Sequence, residues 1–168
     1  MVRFYRDERG DHRGRKLSTI LSRSTEWLEY THDYIQWLFP LAVPSAFNPD
    51  APILSSSDIQ EFYSDRVLRS TLRDALNVML DFYGLLLVAR TEACMQVIKD
   101  SSFETRAQSW LTPGNHNFLR ITRILKSLCL LGLPEHAQAL FECLNLIYKE
   151  HGGVVGAETF EFWRRAVR

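Results

Sequence analysis

Trp27-Leu28-Glu29-Tyr30-Thr31-His32-Asp33-Tyr34-Ile35-Gln36-Trp37-Leu38-Phe39-Pro40 reads as the middle of a helical protein. At about 100° per residue, Trp27, Leu28, Tyr30, Tyr34, Ile35, Trp37, Leu38 and Phe39 spread over roughly 200° of a helical wheel, and Glu26, Glu29, Asp33 and Gln36 fill the remainder. A helix apolar over that width is covered on most sides. Residues 25–39 are therefore predicted to form a central column with one acidic seam. Ser24 is placed to cap its N-terminus, and Pro40 ends it by removing a donor and crowding the preceding turn.

A second segment has the same character: His116-Asn117-Phe118-Leu119-Arg120-Ile121-Thr122-Arg123-Ile124-Leu125-Lys126-Ser127-Leu128. Phe118, Ile121, Ile124, Leu125, Leu128 and Leu131 make its main apolar arc, while Leu119 and Leu130 lie on the other side. Arg120 falls at the border of the arc and Arg123 beside Leu119 and Leu130. A guanidinium inside such a helix needs carboxylates or backbone carbonyls, and Glu26, Glu29 and Asp33 of the acidic seam are the expected suppliers, with Asp74 or Asp81 as substitutes. Two readings stay open. The arginines belong to a structural ion-pair network between two core helices, or His116, Arg120 and Arg123 offer donors to an anionic ligand at a cleft rimmed by His32 and Asp33.

Around these two helices the chain is predicted to be all-α, a single compact multi-helix bundle over 1–168. Residues 1–16 form an arm anchored by Phe4 and Tyr5, and residues 17–167 form the helical body, which starts with a turn over Leu17 to Leu21. Residues 40–52 hold four prolines in thirteen positions, so a stiff extended strap follows the column, with Phe47 plugging a surface hollow; a ligand-covering loop is the other reading. Ser57-Asp58-Ile59-Gln60 has capping-box spacing. A slip in apolar phase near Ser64 and Asp65 divides a short helix from a longer one that runs to Tyr83, with Gly84 at C′. Leu85 to Val88 either restarts a helix or crosses beneath the core, and Glu92 to Trp110 reads as two short helices bending near Asp100-Ser101-Ser102. Gly132-Leu133-Pro134 separates two helices, Gly152-Gly153 breaks the second, and residues 157–167 dock through Phe160, Phe162 and Trp163.

Charge and composition exclude more than they select. Lys plus Arg and Asp plus Glu number 20 each, which argues against a whole-molecule attraction to nucleic acid or anionic membrane. The interleaved acids of the arm weaken a phosphate-gripping role for Arg3, Arg6, Arg9, Arg13, Arg15 and Lys16. No secretory h-region opens the chain, and its longest apolar run, Leu85 to Ala89, is far short of a membrane span. Cys94, Cys129 and Cys143 are odd in number and outside CxxC pairs, so reduced thiols in a cytoplasmic setting are expected. There is no HExxH, P-loop or GxSxG, and the five histidines lack ligand spacing, so neither metal nor cofactor is expected.

Tyr34-Ile35-Gln36-Trp37-Leu38-Phe39-Pro40, within Tyr30 to Pro40, resembles the signature of the opioid growth factor receptor conserved domain. So do Phe82-Tyr83-Gly84 and the block from Leu119 to Leu128, and the likeness runs over about residues 4–165. The resemblance implies an all-helical domain with receptor activity for an opioid peptide in animals, lacking seven membrane spans. The chain looks like a stand-alone, microbial-type member without the long tails of animal proteins. Gln36, Trp37, Asn117, Arg120 and Arg123 lie in or beside the matching blocks, and with His32, Asp33 and His116 they complete the candidate ligand-binding set. The function expected is a non-enzymatic binding module whose partner is a peptide, protein or small anionic ligand. Two alternatives are a hydrolase or transferase centred on His32, Asp33 and His116, and a purely structural or protein-interaction domain.

Overall fold

The computed structural model describes the backbone of residues 1–91 and 94–168 and side chains outside 89–94. The expected thiol of Cys94 and the start of a helix at Glu92 lie outside the described residues. Helices are α1 Val2–Tyr5, α2 Leu17–Leu21, α3 Thr25–Tyr30, α4 Ile35–Leu38, α5 Ser56–Ser64, α6 Arg66–Tyr83, α7 Phe103–Trp110, α8 Asn117–Leu130, α9 Pro134–Val155 and α10 Ala157–Ala166; strands are β1 Leu85–Thr91 and β2 Cys94–Lys99.

Two helical groups are joined by the strands. In the first, α1, α2, α5 and α7 pack on α6; in the second, α8, α9 and α10 pack on one another. β1 lies on α6 and its antiparallel partner β2 on α9, so the hairpin fastens one group to the other. One buried cluster runs through both, from Val2 and Phe4 to Trp163 and Ala166. No helix among the described residues is long and apolar enough to cross a membrane.

Local chemistry explains most of the boundaries. Asp65 caps α6 by accepting from Val67 N, and Gly84 ends that helix with φ +72°. A Cβ on Gly84 would meet Phe103 Cα at 2.6 Å, so only glycine permits both the left-handed turn and the close approach of α7. The capping box of α5 uses Ser55 and Asp58, two residues ahead of the spacing read at Ser57. α9 breaks its helical geometry at His151 (φ −125°, ψ 29°), one residue before the predicted Gly152-Gly153 break, and a short second helical piece runs on to Val155. α10 docks through the fully buried Trp163, while Phe162 stays exposed.

The hairpin corrects the all-α reading: the fold is mostly helical with a two-stranded sheet. Leu85 and Val97 are buried while Leu86, Val88, Gln96 and Ile98 are exposed, a period of two. Asp100 N bonds to Gly84 O at 3.0 Å, closing its base. Of the two short helices predicted between 92 and 110, α7 forms and Met95 to Ile98 is strand.

The column is also revised. It breaks after Tyr30, Thr31 adopts φ −98° and ψ 127°, and helix resumes only at Ile35. Ser24 does cap α3, accepting from Trp27 N at 3.2 Å. Tyr30, assigned to the inner arc, is exposed, as is Phe47, which plugs no hollow. Residues 40–54 contain no helix and are held at their ends by a parallel bridge between Leu41 and Ile53.

Candidate functional site

Arg120 explains the break in the column. Its Nη1 donates to Leu28 O at 2.9 Å and Asn117 Oδ1 at 3.2 Å; its Nη2 donates to Thr31 O at 2.9 Å and Glu29 O at 3.3 Å, and lies 3.1 Å from His32 Nδ1. The side chain is 5% exposed and stacks over the ring of Tyr34 at 5.5 Å. The last carbonyls of a helix have no donors of their own and carry partial negative charge. Arg120 supplies both donors and charge, which lets α3 stop without a glycine or a proline.

The same face of α8 continues this role. Arg123 Nη1 donates to Phe39 O at 3.1 Å and Ser127 Oγ to Pro40 O at 2.9 Å. Asn117, fully buried, donates to Glu29 Oε2 at 3.0 Å. The two arginines thus meet backbone carbonyls, and the expected pairing of both with the acidic seam does not form. The seam divides: Glu29 faces Asn117 and, at 3.6 Å, His116 Nε2, while Asp33 is bound by Arg13 at 2.6 Å, Arg15 at 2.9 Å and His12 at 3.4 Å. His116 is held below the usual histidine range by burial and then by the Arg120 charge, against the pull of Glu29. At neutral pH it is an uncharged neighbour of Glu29.

Beyond this bonded face, α8 borders a cleft of about 470 Å³ closed on its far side by the loop 41–47. His32, Gln36, His116, Arg120 and Arg123 of the predicted set line it; Asp33, Trp37 and Asn117 do not. The break after Tyr30 changes the phase of the following residues, so Asp33 and Trp37 turn to the arm, where Trp37 Nε1 donates to His12 Nδ1 at 3.2 Å. His32 and His116 meet edge to face with centroids 5.0 Å apart, without Asp33.

The wall is mainly apolar. Val43, Phe47 (80% exposed) and Leu119 (55% exposed) stand on its two sides, and Lys126 ends the α8 stripe formed with Leu119, Arg120 and Arg123. Gln36 lies at the base, 5% exposed, and its Oε1 is buried with no hydrogen-bond partner among the described residues. Burial lowers the proton affinity of Arg123, whose only hydrogen bond among the described residues is the one to Phe39 O. The cleft therefore offers cations along one side and apolar surface on both, with the unpartnered Gln36 Oε1 buried in its lining residues. Sequence reasoning missed Val43, Leu119 and Lys126 as site residues. Leu119 had a signal in its place off the main apolar arc, and Lys126 in its spacing of three from Arg123.

Comparison with known proteins relates the chain to a family. The model of the opioid growth factor receptor (OGFr) conserved region matches residues 3–168. The opioid growth factor receptor of Mus musculus is 45% identical over 112 residues, covering 67% of this chain and 17% of that protein. The opioid growth factor receptor of Homo sapiens is 41% identical over 140 residues, 81% of this chain and 20% of that protein. The opioid growth factor receptor-like protein 1 of Mus musculus is 40% identical over 107 residues, with 64% and 22% covered. The chain spans about a fifth of the length of these relatives. No solved structure matches it.

Proposed function

The chain belongs to the opioid growth factor receptor conserved-region family, and from that premise we propose that it is a non-enzymatic, receptor-type binding module whose cleft between α8 and the loop 41–47 takes a short peptide or small anionic ligand. In this reading Phe47, Val43 and Leu119 close on an apolar side chain, Arg123 and Lys126 hold a carboxylate, and Gln36 Oε1 accepts an N–H. The receptor names of the relatives support a ligand, and an opioid peptide is the first to try.

The observation that carries the proposal is Gln36. A buried carbonyl oxygen without a donor costs about 1–3 kcal/mol, and a ligand N–H would recover that loss on binding. The catalytic alternative asks for Asp33 beside His32 and His116, whereas Asp33 is tied to Arg13 and Arg15. A reducing, cytoplasmic setting belongs to the same proposal. It is supported by free Cys129 and Cys143, whose thiols are raised by burial, that of Cys143 to about 11.

Gln36→Leu separates this reading from a structural one. Replacing the unpaired amide by a similar apolar volume should leave stability unchanged or raise it by about 1 kcal/mol. Binding of a fluorescently labelled short opioid peptide, measured by anisotropy, should weaken about tenfold. Destabilisation together with unchanged peptide affinity would make Gln36 a core residue and remove the base of the proposed site.

A further inference from the structure

A second cavity, of about 780 Å³, shares no lining residue with the first. Arg66, Arg69 and Arg73 line it from α6 at positions i, i+3 and i+7, which sets three guanidinium-bearing positions along about 10 Å of one helix face.

Among the described residues their charge is not neutralised from within. Asp65 and Glu61, the carboxylates nearest in sequence to Arg66, are taken by Arg6 at 3.1 and 2.9 Å. Arg66 makes no hydrogen bond or ion pair among the described residues. Arg69 uses Nη1 on the carbonyls of Phe62 and Tyr63, leaving its other edge open, and Arg73 donates to Ser70 Oγ at 3.0 Å. None of the three meets a carboxylate within 4.0 Å among the described residues, and Glu135 is the single acidic residue in the wall. Among the described residues three guanidinium groups thus stand against one carboxylate, in a chain whose total formal charge is zero.

The cavity also has an apolar shelf, made by Leu87 and Met95 of the hairpin and Leu133 before α9. Gly132, at φ +84°, lets the Arg69 stem lie against the turn; a Cβ there would stand 3.2 Å from Arg69 Cδ. The planar fork of arginine matches the oxygens of phosphate, and a row of three suits several phosphates better than one carboxylate. A short basic row beside an apolar shelf suits a compact molecule better than a polymer strand, for which a long basic track is needed.

We propose that this cavity binds a small polyphosphorylated molecule, its phosphates spread along Arg66, Arg69 and Arg73 and its apolar body resting on Leu87 and Met95. The proposal is independent of the function assigned to the first cleft. Calorimetric titration with inorganic triphosphate, ATP and a single-stranded DNA dodecamer tests it. Triphosphate should bind in the micromolar range, and the double variant R66Q/R73Q, which changes two exposed residues and leaves the capping contacts of Arg69 intact, should weaken it by about tenfold or more. Arg9→Gln, an exposed change in the arm, should have no effect. Glu135→Gln should tighten triphosphate about threefold by removing the opposing charge, a readout that survives if the double variant fails to fold. ATP should bind more tightly than triphosphate; equal affinity would overturn the role of the shelf. No heat at millimolar triphosphate, binding indifferent to both variants, or tighter binding of the dodecamer would overturn the proposal.

Discussion

Arg120 and Arg123 are three residues apart on one helix and live in different worlds. Arg120 is buried and bonded to three backbone carbonyls, an asparagine oxygen and a histidine nitrogen. Arg123 reaches one carbonyl and otherwise lines a cleft that it shares with Gln36, whose Oε1 is buried without a partner among the described residues. The difference teaches that a charged residue in a buried helix is structural or available according to how many of its donors the fold has already claimed.

Mutation can break that comparison most forcefully at Arg120. Arg120→Ala should cost about 3–5 kcal/mol, because it leaves the end of α3 with buried carbonyls lacking donors. Arg120→Lys should recover only part, since an ammonium cannot span the same carbonyls. Urea denaturation midpoints give both values, and a loss under about 1 kcal/mol for the alanine variant would place Arg120 with the ligand-facing residues.

Smaller effects sharpen the contrast. Ser127→Ala removes the hydrogen bond to Pro40 O in a fully buried setting and should cost about 1–2 kcal/mol by the same denaturation. Arg123→Gln should cost less than about 1 kcal/mol while lowering affinity for the short opioid peptide about tenfold. Phe47→Ser should leave the melting temperature unchanged, since the ring is exposed, and still weaken the peptide in anisotropy titrations.

The smallest effect is with pH. His116 is held below its unfolded value, so between the two values the unfolded chain binds more protons, and stability rises with pH there. Its contribution is complete above about pH 6.5 and falls away as pH drops through the folded value. His116→Asn should flatten the slope of melting temperature between pH 7.5 and 5; an unchanged slope would assign it to other groups.

What the sequence made legible is what local chemistry determines. Ser24, Asp65 and Gly84 mark helix ends through contacts with their own neighbours, and the apolar arc of α8 needs no distant partner to be read. The break after Tyr30 is different, because the group that stabilises it is Arg120, distant in sequence and adjacent only after folding. Once the break forms, Asp33 and Trp37 leave the cleft and Gln36 stays, a division that an unbroken wheel over 25–39 cannot predict. The hairpin was hidden because Leu85, Leu86, Leu87 and Val88 are all apolar, so alternate burial left no alternation in residue type. Phe47 suggested a plug by its size alone, and its ring is exposed on the loop.

The most direct test of the cleft is a proton–nitrogen correlation spectrum of the labelled protein titrated with the short opioid peptide. The account predicts shifts in the Gln36 side-chain amide and in the backbone of residues 43–47, 119 and 123, with Asn117 and Ser127 unmoved. A footprint centred on residues 12–33 or 66–73, or no shift at millimolar peptide, would contradict it.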